Sequence, residues 1–164
     1  MKYVTVPAPV TPKNYDGKDF TTIDEEASIR AGKQVIAAVG EVSIHRYLMT
    51  YVINEKHTVK NAHGKDEEVL KIGRGYEGNK RSRKLDNLFK NAVAGEVVGV
   101  EDEDHKLVAK IIVERDWPNS SFGMCFSSIE EAWMTASEEK PAVKVPAKVE
   151  NGRELPPSIV GNAS

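Results

Sequence analysis

The chain has 164 residues, of which 40% are hydrophobic and 29% are charged, with a formal net charge of -2. These values predict one globular domain with enough chain to bury a core, and the near-neutral charge favours no class of partner. The single cysteine, Cys125, excludes an internal disulfide framework, and no segment is long and apolar enough for a membrane span or a signal peptide, so we expect a cytoplasmic protein without membrane contact.

Residues 1–20 are predicted to form an N-terminal arm. Residues 2–6 alternate weakly and can form one edge strand. Pro7, Pro9 and Pro12 follow, and proline cannot lie in the middle of a sheet because it has no backbone N–H to donate.

Residues 23–53 carry the longest helical pattern, and we expect the core to be organised around them. The spacing of Thr22 and Glu25 is that of a capping box, and apolar residues recur at helical spacing over residues 24–39, which predicts a first helix there. A second apolar set in a different phase predicts another helix after Gly40 and Ser43: Ile44, Tyr47, Leu48, Tyr51 and Val52. Residues 47–53 also suit a strand, but the pattern favours an αα-hairpin core.

The second half of the chain shows shorter patterns. Residues 66–72 fit either a short strand or the last turn of a helix. A helix is predicted from Ser82 to a stop at Gly95, then a strand over residues 96–100. The acidic residues 101–104 favour a further helix over a hairpin strand at residues 106–114. Residues 117–120 form a predicted loop, and Ser128 with Glu131 forms a second capping box before a short helix.

Residues 138–164 contain four prolines, no aromatic residue and equal numbers of acids and bases. This composition cannot bury enough apolar surface to order itself, so it predicts a flexible tail. The expected fold is therefore α+β and predominantly helical, with a single globular domain over residues 21–137, a few short strands and extended proline-rich arms at both ends.

Residues 6–10 (VPAPV) and residues 95–104 (GEVVGVEDED), which precede an amphipathic segment, carry a resemblance. Together they resemble small accessory proteins encoded among the structural genes of tailed bacteriophages. The resemblance covers about a tenth of the chain. It implies a virion or assembly protein that acts through protein contacts, and it assigns no role to any residue.

The glycines Gly73, Gly75 and Gly78 have the spacing of a dinucleotide-binding turn. They follow an apolar run and precede a helix, a strand and Glu101, which is the order of residues in a βαβ nucleotide site. However, six mostly charged or polar residues follow at 79–84, where such a helix packs beneath its sheet, and the chain lacks further βα units. A flexible glycine loop is the competing interpretation.

Residues 71–90 are strongly basic in a chain that is negative overall. Cations beside an exposed aromatic ring can follow a phosphate backbone and stack on a base. The candidate nucleic-acid-binding residues are Lys71, Arg74, Tyr76, Lys80, Arg81, Arg83 and Lys84. The alternatives are a solvated face, or a patch that meets acids elsewhere in the chain, such as residues 101–104 or 24–26.

No catalytic residue, metal site or cofactor is predicted. His57 and His63, with Asp66 and Glu67, match no zinc spacing, and the common hydrolase, phosphate-loop and metalloprotease motifs are absent from the sequence. The leading hypothesis is therefore a non-enzymatic protein-interaction module, a structural or assembly accessory that binds a partner chain or itself, in the cytoplasm or in a virion. A nucleic-acid-binding protein and a nucleotide-binding enzyme are the alternatives.

Overall fold

A computed structural model describes residues 1–116 and 120–142. In this part the strands pair two by two into antiparallel sheets, β1 with β6, β2 with β3 and β4 with β5. The strands are β1 (Lys2–Thr5), β2 (Thr21–Ile23), β3 (Ile36–Ala38), β4 (Lys56–Lys60), β5 (Asp66–Leu70) and β6 (Val97–Val100). The helices are α1 (Glu25–Ala31), α2 (Ile44–Tyr47), α3 (Gly75–Phe89), α4 (Asp102–Glu114), α5 (Ser120–Met124) and α6 (Ser127–Met134).

The core lies between the β1–β6 sheet and the helices α2, α3, α4 and α6. Its largest fully buried side chains are Trp133, Tyr47, Phe89 and Phe126. The sheet contributes Val4 of β1, and α6 packs on both β1 and α4. Burial of these large apolar side chains is the main driving force for the fold.

The prediction of an αα-hairpin is wrong. The first helix ends at Ala31, where Gly32 adopts a left-handed conformation with φ of 63°, and β3 takes the place of the helix's predicted second half. Asp24 rather than Thr22 caps it, because the Asp24 carboxylate accepts a hydrogen bond of 2.9 Å from the Ala27 N–H. The helical spacing rested largely on alanines, which bury little area, and no residue of α1 is buried.

The preference for helix over strand in the next segment is confirmed. Ser43 caps α2, its Oγ accepting from the Arg46 N–H at 3.3 Å. The helix continues beyond Tyr47 as one π-helical turn (Leu48–Val52). The preferences for a helix at α4 and for a strand at β6 are confirmed as well. The short helix α6 is also present, but Phe126 occupies its N-cap position and the predicted capping box does not form.

The fold is mixed α+β, so the prediction that it is predominantly helical is wrong. The sequence offered no apolar alternation for the β4–β5 hairpin, because most of its residues are exposed on both faces. The sequence signal for this hairpin lies in its turn, at residues 61–65. The side-chain oxygen of Asn61 accepts from the N–H groups of His63 and Lys65, and Gly64 has φ of 72°.

The N-terminal arm packs on the core, which corrects the prediction of an extended arm at this end. The predicted strand forms as β1, Val4 and Val6 are buried in the core, and Val10 bridges to Val42. Tyr3 of β1 also bridges to Ser137, which follows α6. Residues 143–164 of the predicted tail and residues 117–119 of the predicted loop lie outside the described residues. Across 1–116 and 120–142, no helix has both the length and the apolar composition to cross a membrane.

Candidate functional site

The glycine turn between β5 and α3 packs the chain against itself. Gly73 has φ of 137°, and a Cβ added to Gly78 would lie 2.3 Å from the Gly73 carbonyl oxygen. Gly75 is the first residue of α3. The strand before α3 pairs with β4 and the strand after it pairs with β1, so these elements form no parallel βαβ unit. The glycines therefore allow the chain's own backbone at Gly73 and Gly78 to approach closely.

Three of the seven candidate nucleic-acid-binding residues are held by carboxylates of the same chain. Arg81 donates from Nε to Asp104 at 2.9 Å and from a terminal nitrogen to the Ile72 carbonyl at 3.1 Å. Lys84 contacts both Glu101 and Asp104, and hydrogen bonds to these two carboxylates raise the pKa of Lys84. Asp104 is only 8% exposed, so this network is built into the surface between α3 and α4. For Arg81 and Lys84, the structure therefore realises the predicted alternative of a patch that meets residues 101–104.

The third held cation is Lys71, whose Nζ lies 3.8 Å from a Glu55 carboxylate oxygen in a half-buried pair. The remaining candidates, Arg74, Tyr76, Lys80 and Arg83, are exposed. Among the described residues no carboxylate lies within ion-pair distance of their cations. A shallow groove of about 680 Å³ runs beside Tyr76, Lys80 and Arg83.

A second exposed surface was not predicted. The β2–α1–β3 unit (residues 21–38) contains no buried residue. Ile23, Ile29 and Ile36 are 51%, 82% and 63% exposed, and Ile23 lies directly opposite Ile36 across the strand pair. The helical face predicted for residues 24–39 does not include these isoleucines, so no signal read from the sequence marked them as a surface.

The aromatic side chains of the core serve packing. Tyr47 is fully buried among Tyr51 and Phe126, and its hydroxyl contacts Glu130 at 3.3 Å. Burial, together with the charge of Glu130, raises the pKa of Tyr47 well above its usual value, and burial also raises the pKa of Tyr51. Both rings therefore stay neutral across the physiological range, as packing residues do.

One buried polar contact was missed from the sequence. The His105 ring stacks on Trp133 at 5.5 Å, and its Nε2 lies 2.8 Å from the Trp133 carbonyl oxygen, which ties α4 to α6. Within the described ranges, no three His, Cys, Asp or Glu side chains come together in a way that could hold a metal ion. Compared with known proteins, the chain matches no family model, no curated protein and no solved structure.

Proposed function

We propose that this protein is a protein-interaction module that associates with a second copy of itself through the β2–α1–β3 unit, as a structural or assembly accessory. The observation that carries the proposal is the absence of any buried residue in residues 21–38, together with three exposed isoleucines. An isolated two-stranded hairpin is at best marginally stable in water. A partner surface would supply the burial that this unit lacks.

The backbone of the unit offers free strand edges. The N–H of Val39 donates to the Phe20 carbonyl at 2.7 Å, and that of Asp24 donates to the Val35 carbonyl at 2.9 Å. Because hydrogen-bonded pairs alternate along an antiparallel ladder, the backbone groups of Thr21 and Ile23 face outward. Such an edge is a template for pairing with another chain.

The charges of α1 favour a second copy as the partner. Glu25 and Glu26 lie in the first turn, Arg30 lies in the last turn, and Lys33 follows the helix. Two α1 helices placed antiparallel would set the acidic start of one against the basic end of the other. A two-fold symmetric interface needs this self-complementarity.

The exposed area predicts weak association. Complete burial of one isoleucine stabilises by about 1.5–3 kcal/mol, so three partly exposed ones contribute about 4 kcal/mol per copy and about 8 kcal/mol in a symmetric pair. Association itself costs roughly 4–15 kcal/mol. At the lowest cost about 4 kcal/mol remains, which corresponds to a dissociation constant of about 1 mM. Hydrogen bonds at the strand edge and the charges of α1 add to this, so we expect a constant between about 1 µM and about 1 mM.

Sedimentation velocity from about 1 µM to about 1 mM protein tests the proposal. The wild type should associate, and the variant Ile23→Ser/Ile29→Ser/Ile36→Ser should stay monomeric with an unchanged melting temperature. A matched control changes exposed apolar residues elsewhere: Val93→Ser, Val113→Ser and Met134→Ser. A wild type that stays monomeric throughout, or a triple isoleucine variant that still associates, would overturn the proposal.

Hydrogen exchange provides a second measurement that does not depend on the variants. Amides of residues 21–38 should exchange quickly in dilute wild type and more slowly as its concentration rises, because the interface orders them. The same exchange rate at every concentration would contradict the assignment of the interface to this unit.

A further inference from the structure

One line of exposed side chains runs along the full length of α3. Residues at steps of four, three, four and three share one face of a helix. The α3 stripe consists of Tyr76, Lys80, Arg83, Asn87 and Lys90, all of them exposed. At roughly 1.5 Å of rise per residue it is about 21 Å long.

The cations of the stripe are available to a ligand. Among the described residues, no carboxylate lies within 4.0 Å of Lys80, Arg83 or Lys90, whereas Arg81 and Lys84 on the neighbouring face are held by Asp104. Lys90 Nζ donates to the Asn87 side-chain oxygen at 3.1 Å, a neutral contact that leaves its charge uncompensated. The basic segment therefore has one face whose cations pair with Asp104 and another face, the α3 stripe, whose cations pair with no carboxylate of the described residues.

Tyr76 stands at the start of the stripe and is 77% exposed. Its ring lies beside the groove that Lys80 and Arg83 also line. An exposed ring next to a row of cations is the combination that holds a base by stacking while the phosphates meet positive charge. We infer that the α3 stripe binds single-stranded nucleic acid.

The surroundings of the stripe favour one strand over a duplex. On one side, Glu77 and Glu103 line a neighbouring depression together with Lys80, and Glu101 lines both this depression and the edge of the groove. Phosphates of a second strand would meet these carboxylates, and paired bases would not be free to stack on Tyr76. The stripe shares no residue with the β2–α1–β3 unit, so this inference does not depend on self-association.

Fluorescence anisotropy with labelled oligo(dT), oligo(rU) and a duplex of equal length, across a salt series, tests the inference. We expect the single strands to bind more tightly than the duplex. The DNA and RNA probes together distinguish a site that reads only phosphate and base from one that also requires the 2′-hydroxyl. The logarithm of the affinity should fall linearly with the logarithm of the salt concentration.

Matched variants locate the site. Lys80→Gln/Arg83→Gln/Lys90→Gln should lower the affinity at least tenfold and reduce the salt slope by about 2, since each phosphate contact on a single strand contributes about 0.7. The control removes three exposed lysines without an ion pair among the described residues: Lys18→Gln, Lys65→Gln and Lys106→Gln. Tyr76→Ala should weaken binding by roughly tenfold with the slope unchanged, and Tyr76→Phe should not.

Several results would overturn the inference. No binding of either single strand at low salt would do so, because electrostatic attraction is strongest there. Equal losses in the stripe variant and in the control would also do so, since the effect would then reflect net charge alone. Duplex binding as tight as single-strand binding would contradict the role assigned to Tyr76, because the stripe would then contact phosphates without stacking on a base.

Discussion

The substitution Gly78→Ala tests how closely the glycine turn packs on α3. The added Cβ would lie 2.3 Å from the Gly73 carbonyl oxygen and 2.7 Å from its carbonyl carbon. Both are backbone atoms, which cannot rotate away as the end of a flexible side chain can. The start of α3 or the turn must therefore shift.

Two opposing terms set the magnitude. Alanine is favoured over glycine inside a helix by about 1 kcal/mol. Overpacking of a tight contact costs about 1–3 kcal/mol, and a backbone contact at this distance belongs at the upper end. We expect a net loss of about 2 kcal/mol, which lowers the melting temperature of a chain of this length by about 4–8 °C.

Thermal unfolding followed by circular dichroism measures the effect. The control is Asn79→Ala, the next residue of the same helix, which is exposed and makes no side-chain hydrogen bond among the described residues. It should stabilise by about 0.5 kcal/mol through helix propensity alone, so the two variants should shift in opposite directions. A Gly78→Ala protein as stable as the wild type would refute the reasoning.

Three other outcomes follow from the described contacts. Asp104→Asn should lower the free energy of unfolding by about 2 kcal/mol in urea titrations, whereas Glu101→Gln, on an exposed carboxylate of the same network, should cost less than about 1 kcal/mol. The raised pKa of Tyr47 contributes stability that is present below pH 10 and is lost as the pH rises above 10. The melting temperature of the wild type should therefore fall between about pH 10 and pH 11, and Tyr47→Phe should make this fall less steep. An equally steep fall in the variant would contradict this. Asp24→Ala should speed hydrogen exchange in α1 and leave global melting unchanged, because α1 buries no residue.

The elements predicted correctly are those with one strongly apolar face. Ile44 is buried in α2, Leu48 and Val52 in its π-helical turn, and Val108 and Ile112 in α4, so burial and periodicity agree there. The prediction failed at residues 24–39, where Ala27 and Ala31 supplied periodicity without enough area to bury. No strand was predicted at β4, and residues 66–72 were left open between a strand and a helical turn, because most residues of this hairpin are exposed and no alternation can be selected.

The basic segment was recognisable from its composition, but its division into two faces was not. Arg81 and Lys84 form ion pairs with Asp104, which lies in α4, 23 residues after Arg81. No local sequence pattern marks such a pairing. The start of α3 was also predicted too late, at Ser82. Only a helix that begins at Gly75 places Tyr76 in line with Lys80.

The pairing of β1 with β6 constrains how the chain can fold during its synthesis. Thr5 lies opposite Val97, and Lys2 lies opposite Val100. At about 5–20 residues per second, a ribosome adds Val100 on the order of 5–20 s after Thr5. During that time Val4 and Val6, which the finished fold buries, have no sheet to join. Strand β1 therefore waits for its partner until β6 is made, and these valines stay open to a chaperone throughout that interval.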